Sequence, residues 1–148
     1  MRIRKLTLAL AIMALGFCGC KSSQKAAESK NSPLVGTQWQ LESISNQLVA
    51  DDSFASQPYI IFNDDGTFAG NLGCNSFFGN YYQKKQKMTV DFSGATRKLC
   101  TAMNTEKAFH KGLKAGINHF EISGNTLILY ADKEEIFRFK DNGKILEE

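Results

Sequence analysis

The side chains that could carry covalent or acid–base chemistry here are Cys74, Cys100, His110 and His119. A thiolate beside an imidazole base would make a nucleophile. Cysteine and histidine at close spacing would hold a metal, and two cysteines in an oxidising compartment would join. Neither histidine belongs to an HExxH motif or a tight Cys/His set, and there is no GxSxG, P-loop, GxGxxG or CxxC. A Cys74 thiolate with one of the histidines as base is the pairing left to an enzyme. No catalytic residue, cofactor or metal site is expected. Asp64-Asp65-Gly66 has the start of a calcium loop but lacks the alternating ligands and distal glutamate, so it reads as a turn.

What a thiol does depends on where the chain resides. Residues 1–19 have Arg2, Arg4 and Lys5, an apolar run from Leu6 to Phe17, and Gly19 just before Cys20. That is the pattern of a secretory signal. Its apolar run of roughly 12 residues falls short of the roughly 20 a membrane-spanning helix needs. Phe17-Cys18-Gly19-Cys20 resembles the lipobox of bacterial lipoproteins, with Phe17 where leucine is usual; the resemblance implies lipidation of Cys20. Residues 20–32 then form a lipidated end and tether, because Lys21 to Ser32 offers no large apolar side chain to bury. Lys21-Ser22-Ser23 has no aspartate after the lipidated cysteine, which leaves the outer membrane, facing the periplasm, as the expected location.

Once Cys18 is cleaved off and Cys20 carries lipid, Cys74 and Cys100 remain. An even pair in an oxidising compartment points to a disulfide, which would contribute roughly 3.5 kcal/mol in the chain-entropy model. Two buried reduced thiols acting as small apolar side chains are the alternative. Three of the 18 Lys+Arg lie in residues 1–19 and none of the 15 Asp+Glu does, so the remainder is electrically neutral. With no basic patch, nucleic acid is not expected as a partner.

Positioning these residues falls to one domain, residues 33–148. Most of it alternates with period two: Trp39 and Leu41; Met88, Val90 and Phe92; Phe120 and Ile122; Leu127 and Leu129; Phe137 and Phe139. Gln40, Glu42, Thr89, Asp91, Glu121 and Arg138 then face out. Asn63-Asp64-Asp65-Gly66 and Ser123-Gly124-Asn125 read as hairpin turns. One helix is predicted over Thr105 to Ala115, capped by Asn104, with Ala102, Phe109 and Leu113 on one face. Glu106 falls on that stripe, either as a buried functional carboxylate or as a first-turn acid answering the helix dipole and orphan backbone donors. The fold class is α+β, mostly antiparallel, a compact curved or barrel-like sheet with one helix packed on it.

Leu34-x-Gly36-Thr37-x-Trp39-x-Leu41, Phe62 with Asp65-Gly66, Gly73-Cys74-Asn75 with Gly79 and Tyr81, Thr96-Arg97 with Cys100, Glu106 with Phe109 and Leu113, and Gly124 with Leu127 and Leu129 follow in order. This succession resembles the META domain family, also called HslJ-like or DUF306, of bacterial envelope proteins. The departure is Lys98-Leu99, where the family usually has Met-Ala. The resemblance implies an antiparallel β structure with one helix, links to heat-shock response, drug tolerance or secretion, and no established catalytic activity. It gives Gly36, Thr37, Trp39, Gly66, Gly73, Asn75, Gly79, Thr96 and Glu106 structural roles, and makes Cys74 a staple for the Thr96 to Cys100 segment. Asn75 should bond local backbone, while Phe77, Phe78, Tyr81 and Tyr82 should supply buried area.

Three functions follow in order of expectation. The first is a non-catalytic, monomeric envelope lipoprotein, held to the membrane at Cys20, that meets a protein partner under stress. The second is a binder of a small apolar or amphipathic ligand in a pocket lined by Phe77, Phe78, Tyr81 or Phe120. The third is a thiol-dependent enzyme.

Overall fold

The computed structural model describes residues 30–49, 54–101 and 103–144; the signal, Cys20, most of the tether, Ala102 and residues 145–148 lie outside the described residues. The alternating segments become β1 (Thr37–Ile44), β2 (Gln47–Leu48), β3 (Tyr59–Phe62), β4 (Thr67–Asn71), β5 (Ser76–Lys84), β6 (Lys87–Ala95), β7 (His119–Ser123), β8 (Thr126–Ala131) and β9 (Glu134–Lys144). All strand pairs are antiparallel. Along the sheet the order is β2-β1-β3-β4-β5-β6-β7-β8-β9, and β9 also pairs with β1, so the sheet closes into a barrel. Both expected hairpins form, with Phe62 opposite Phe68 and Ser123 opposite Thr126.

The ring is uneven. β1 and β9 pair from Thr37 opposite Lys144 to Ile44 opposite Phe137, whereas β6 meets β7 at the single pair Lys87 and His119. The one helix among the described residues, α1 (Met103–Leu113), lies between those two strands in the chain. It begins and ends two residues earlier than its spacing predicts. Asn104 therefore sits inside the first turn, and Lys114 and Ala115 close the last turn by donating to the carbonyls of Lys111 and Gly112 at 3.1 and 3.0 Å.

α1 plugs the interior through Phe109. Its ring lies 5.4 Å from Phe77 of β5 and 5.0 and 6.0 Å from Phe137 and Phe139 of β9, strands on opposite sides of the ring. Gly112 makes the approach possible, because a Cβ there would stand 2.3 Å from Phe137 Cζ. Trp39, Ile60, Phe62, Phe68, Leu127 and Leu129 fill the rest, all essentially without exposure. Each such side chain is worth roughly 1.5–3 kcal/mol of transfer free energy.

Candidate functional site

The residues that sequence reading singled out converge on Asn75, in the loop between β4 and β5. The side chain is 1% exposed, and every polar atom of the residue is engaged. Its main-chain N–H donates to Glu106 Oε2 at 3.0 Å and its Nδ2 to Glu106 Oε1 at 2.7 Å. Nδ2 also donates to the Lys98 carbonyl at 3.0 Å. Oδ1 accepts from the Lys98 N–H and the Thr96 hydroxyl, each at 2.7 Å. The carbonyl accepts from the Leu72 N–H at 2.8 Å. One side chain thus ties the β4–β5 loop to the segment after β6 and to α1. A buried amide satisfied on all sides rigidifies, whereas a half-satisfied one costs free energy.

Two expectations change here. The Asn75 side chain bonds remote segments, 23 and 31 residues away, and not its local backbone. Among the described residues, the donors that Glu106 meets belong to Asn75 and not to the orphaned N–H groups of its own helix. Because only the main chain of Lys98 takes part, the Lys98-Leu99 departure leaves this network intact; Leu99 points out at 94% exposure.

Cys74 and Cys100 form a disulfide, with Cα atoms 6.3 Å apart and a sequence separation of 26. It joins the same two segments that Asn75 joins, so covalent and hydrogen-bonded ties are superposed. With both sulfurs bonded, neither is available as a thiolate, and the Cys74–histidine pairing has no nucleophile in this state. Gly73, buried at φ +114°, lets the loop turn into the knot.

The remaining motif residues brace the barrel elsewhere. The Gly36 N–H donates to the Phe62 carbonyl at 2.9 Å. Thr37 Oγ1 and Trp39 Nε1 donate to the carbonyls of Pro33 and Leu34 at 2.6 and 3.0 Å, folding the entry strand onto itself. Gly66 sits in the β3–β4 turn, where Asp65 Oδ1 accepts from the Thr67 N–H at 2.9 Å and its hydroxyl at 2.6 Å. Those bonds hold the Asp65 carboxyl below its usual range. At Gly79, a Cβ would stand 2.2 Å from the Asp91 carbonyl and 2.5 Å from Phe68 Cζ, at a register shift between β5 and β6.

The aromatic cluster of β5 is divided. Phe77 is core and Tyr81 partly so, its hydroxyl donating to the Asn63 carbonyl at 2.7 Å, but Phe78 and Tyr82 are 58% and 67% exposed. Residues one apart on a strand face opposite ways. Phe77, Phe78, Tyr81 and Phe120 therefore do not line one pocket, and the barrel interior is packed with side chains.

Concave surface lies instead on the outside, beside α1 and also along β1 and β9 near Gln40 and Lys140. A groove of about 600 Å³ separates α1 from β1 and β2, lined by Ile44, Leu48, Val49, Ala108, Gly112 and Ile136 among others. A second, of about 430 Å³, lies between β6 and α1, lined by Leu72, Phe92 to Arg97, Glu106, Lys107, His110 and Lys114. His110, edge-on to Phe92 at 4.5 Å, has its pKa lowered by burial and then by Lys114, with Glu106 opposing. His119 lies 3.3 Å from Glu121, away from this groove. Among the described residues no group of three His, Cys, Asp or Glu could hold a metal, and no helix is long and apolar enough to cross a membrane.

A profile of the META domain matches residues 32–143. A search of curated proteins gave no match. Among solved structures, a protein from Burkholderia xenovorans, determined by NMR, is similar with TM-score 0.58 at 20% identity, covering 75% of this chain and 85% of its own. A second NMR structure has TM-score 0.53 at 24% identity over 71% of this chain and 88% of that one. A DUF4847 family protein from Bacteroides vulgatus has TM-score 0.52 at 13% identity, over 75% and 95%. These likenesses carry the fold; the profile match, spanning most of the sequence, carries membership, and the chain belongs to the META domain family.

Proposed function

We propose that the protein is a non-catalytic envelope module, anchored by lipid at Cys20 to the periplasmic face of the outer membrane, that engages a protein partner during stress or drug exposure. The observation that carries this reading is the placement of Phe78 and Tyr82. A barrel filled by its own aromatic rings has no interior to offer, yet two large aromatic side chains stand on the outer face of β5. Exposed aromatic residues of that kind are enriched where proteins meet. The lipobox-like Phe17 to Cys20 and the tether behind it support the anchor, and the module is read as a monomer.

The test is in-cell photocrosslinking from position 78 of the full-length chain, before and after envelope stress. One discrete adduct that disappears with Tyr82→Ser is expected; no adduct under either condition would sink the proposal. Intact mass of the mature protein, with and without reductant, checks the acyl chains on Cys20. A ligand-binding reading is favoured by one observation, the groove between β6 and α1.

A further inference from the structure

The groove between β6 and α1 carries a charge pattern that the Asn75 network does not use. Lys107 and His110 line it from α1, Lys114 from the turn that follows, and Arg97 from the segment beyond β6. Three cations thus share the groove with one carboxylate, Glu106, both of whose oxygens already accept N–H groups from Asn75. Among the described residues, Arg97, Lys107 and Lys114 form no ion pair. Like charges gathered on a concave surface repel one another, and a bound anion relieves that repulsion.

The remaining lining is apolar. Leu72, Ala95 and Phe92 contribute carbon surface, and Lys114 Nζ lies 5.1 Å from the Phe92 ring centroid, so an ammonium and an aromatic ring stand side by side. A volume of about 430 Å³ suits a small molecule. A guanidinium fork with two ammonium groups matches a dianion better than a single carboxylate, because phosphate offers oxygens to several donors at once.

We propose that this groove binds a small organic phosphate, its anion held by Arg97, Lys107 and Lys114 and its carbon body resting against Leu72, Ala95 and Phe92. Phe78 and Tyr82 are not among the lining residues, so the site differs from the partner surface above, which it adjoins where the Phe78 ring lies beside Gly94.

Phenyl phosphate is the probe, added to the full chain in detergent and followed by NMR on the His110 ring and the amides of Gly94 to Arg97. Saturable shifts confined to that set are expected, with the His110 midpoint moving up as the anion offsets the field of Lys114. Arg97→Gln and Lys107→Gln should each weaken binding about tenfold while other amides stay in place. Inorganic phosphate should bind at least about tenfold more weakly than the ester, and phenol not at all. No saturable shift in a folded sample overturns the site. Equal binding of inorganic phosphate overturns the carbon subsite, and binding of phenol overturns the need for charge. Binding that survives Arg97→Gln with Lys107→Gln overturns the residue assignment.

Discussion

Glu106 grips Asn75 with both carboxylate oxygens, one on its main-chain N–H and one on its side-chain amide, across 31 residues of sequence. The contact fixes α1 against the β4–β5 loop. Asn75→Ala removes the bonds to Thr96, Lys98 and the second oxygen of Glu106 and leaves a buried carboxylate half-satisfied. A loss of about 3 kcal/mol is expected from urea unfolding, with Glu106→Gln costing about 1–3 kcal/mol because it turns donor against donor.

The Cys74–Cys100 bond closes a loop in the same region. Reduction, or Cys74→Ala with Cys100→Ala, should lower stability by about 2–4 kcal/mol without unfolding the barrel, since Asn75 still ties the two segments. The denaturant midpoint of the reduced protein checks this; an unchanged midpoint would mean that the covalent link adds nothing to the hydrogen bonds.

Gly79→Ala and Gly94→Ala offer a matched comparison. At Gly79 a methyl group meets the Asp91 main chain and the Phe68 ring, and about 3 kcal/mol or more should be lost. At Gly94 the nearest atom is Phe78 Cζ at 3.4 Å, an exposed ring that can give, so the change should stay within about 0.5 kcal/mol. Equal losses at the two sites would contradict the packing described.

Neighbours on β5 should behave as opposites. Phe77→Ala opens a cavity among Phe68, Phe92 and Phe109 and should cost about 3–5 kcal/mol. Phe78→Ser should leave the thermal midpoint nearly unchanged, since the ring is 58% exposed.

His110 should titrate below 6.5, because burial and then Lys114 disfavour its charged form more than Glu106 favours it. Between the folded midpoint and 6.5 the unfolded chain binds more protons at this site than the folded one. Stability therefore rises as pH climbs through that window, and the penalty is fully developed below the folded midpoint. Urea midpoints across this range should show the step, and His110→Gln should remove it.

Legibility varied with distance along the chain. The two hairpins lie between adjacent strands and carry their instructions in Asn63 to Gly66 and Ser123 to Asn125, so both were readable. The inward set from Trp39 to Phe139 was readable because alternation is a local property. Phe78 and Tyr82 lie outside, against expectation, because the parity of β5 and not aromatic character decides which of its side chains are buried. The partners of Asn75 were not readable at all: Lys98 and Glu106 reach it only after β5 and β6 have turned back. The grooves flanking α1 were equally hidden, since their walls come from strands and helix far apart in sequence.

Pairing of β1 with β9 has a consequence for biogenesis. A chain synthesised from its amino end presents its first long strand early, yet β9, the neighbour on that strand's far side, comes after every other strand described. The ring cannot shut until β9 has been made, and contacts of such wide separation slow the search. A polypeptide without β9 therefore stays open, with the edges of β1 and β8 both unpaired for as long as the ribosome has β9 still to deliver.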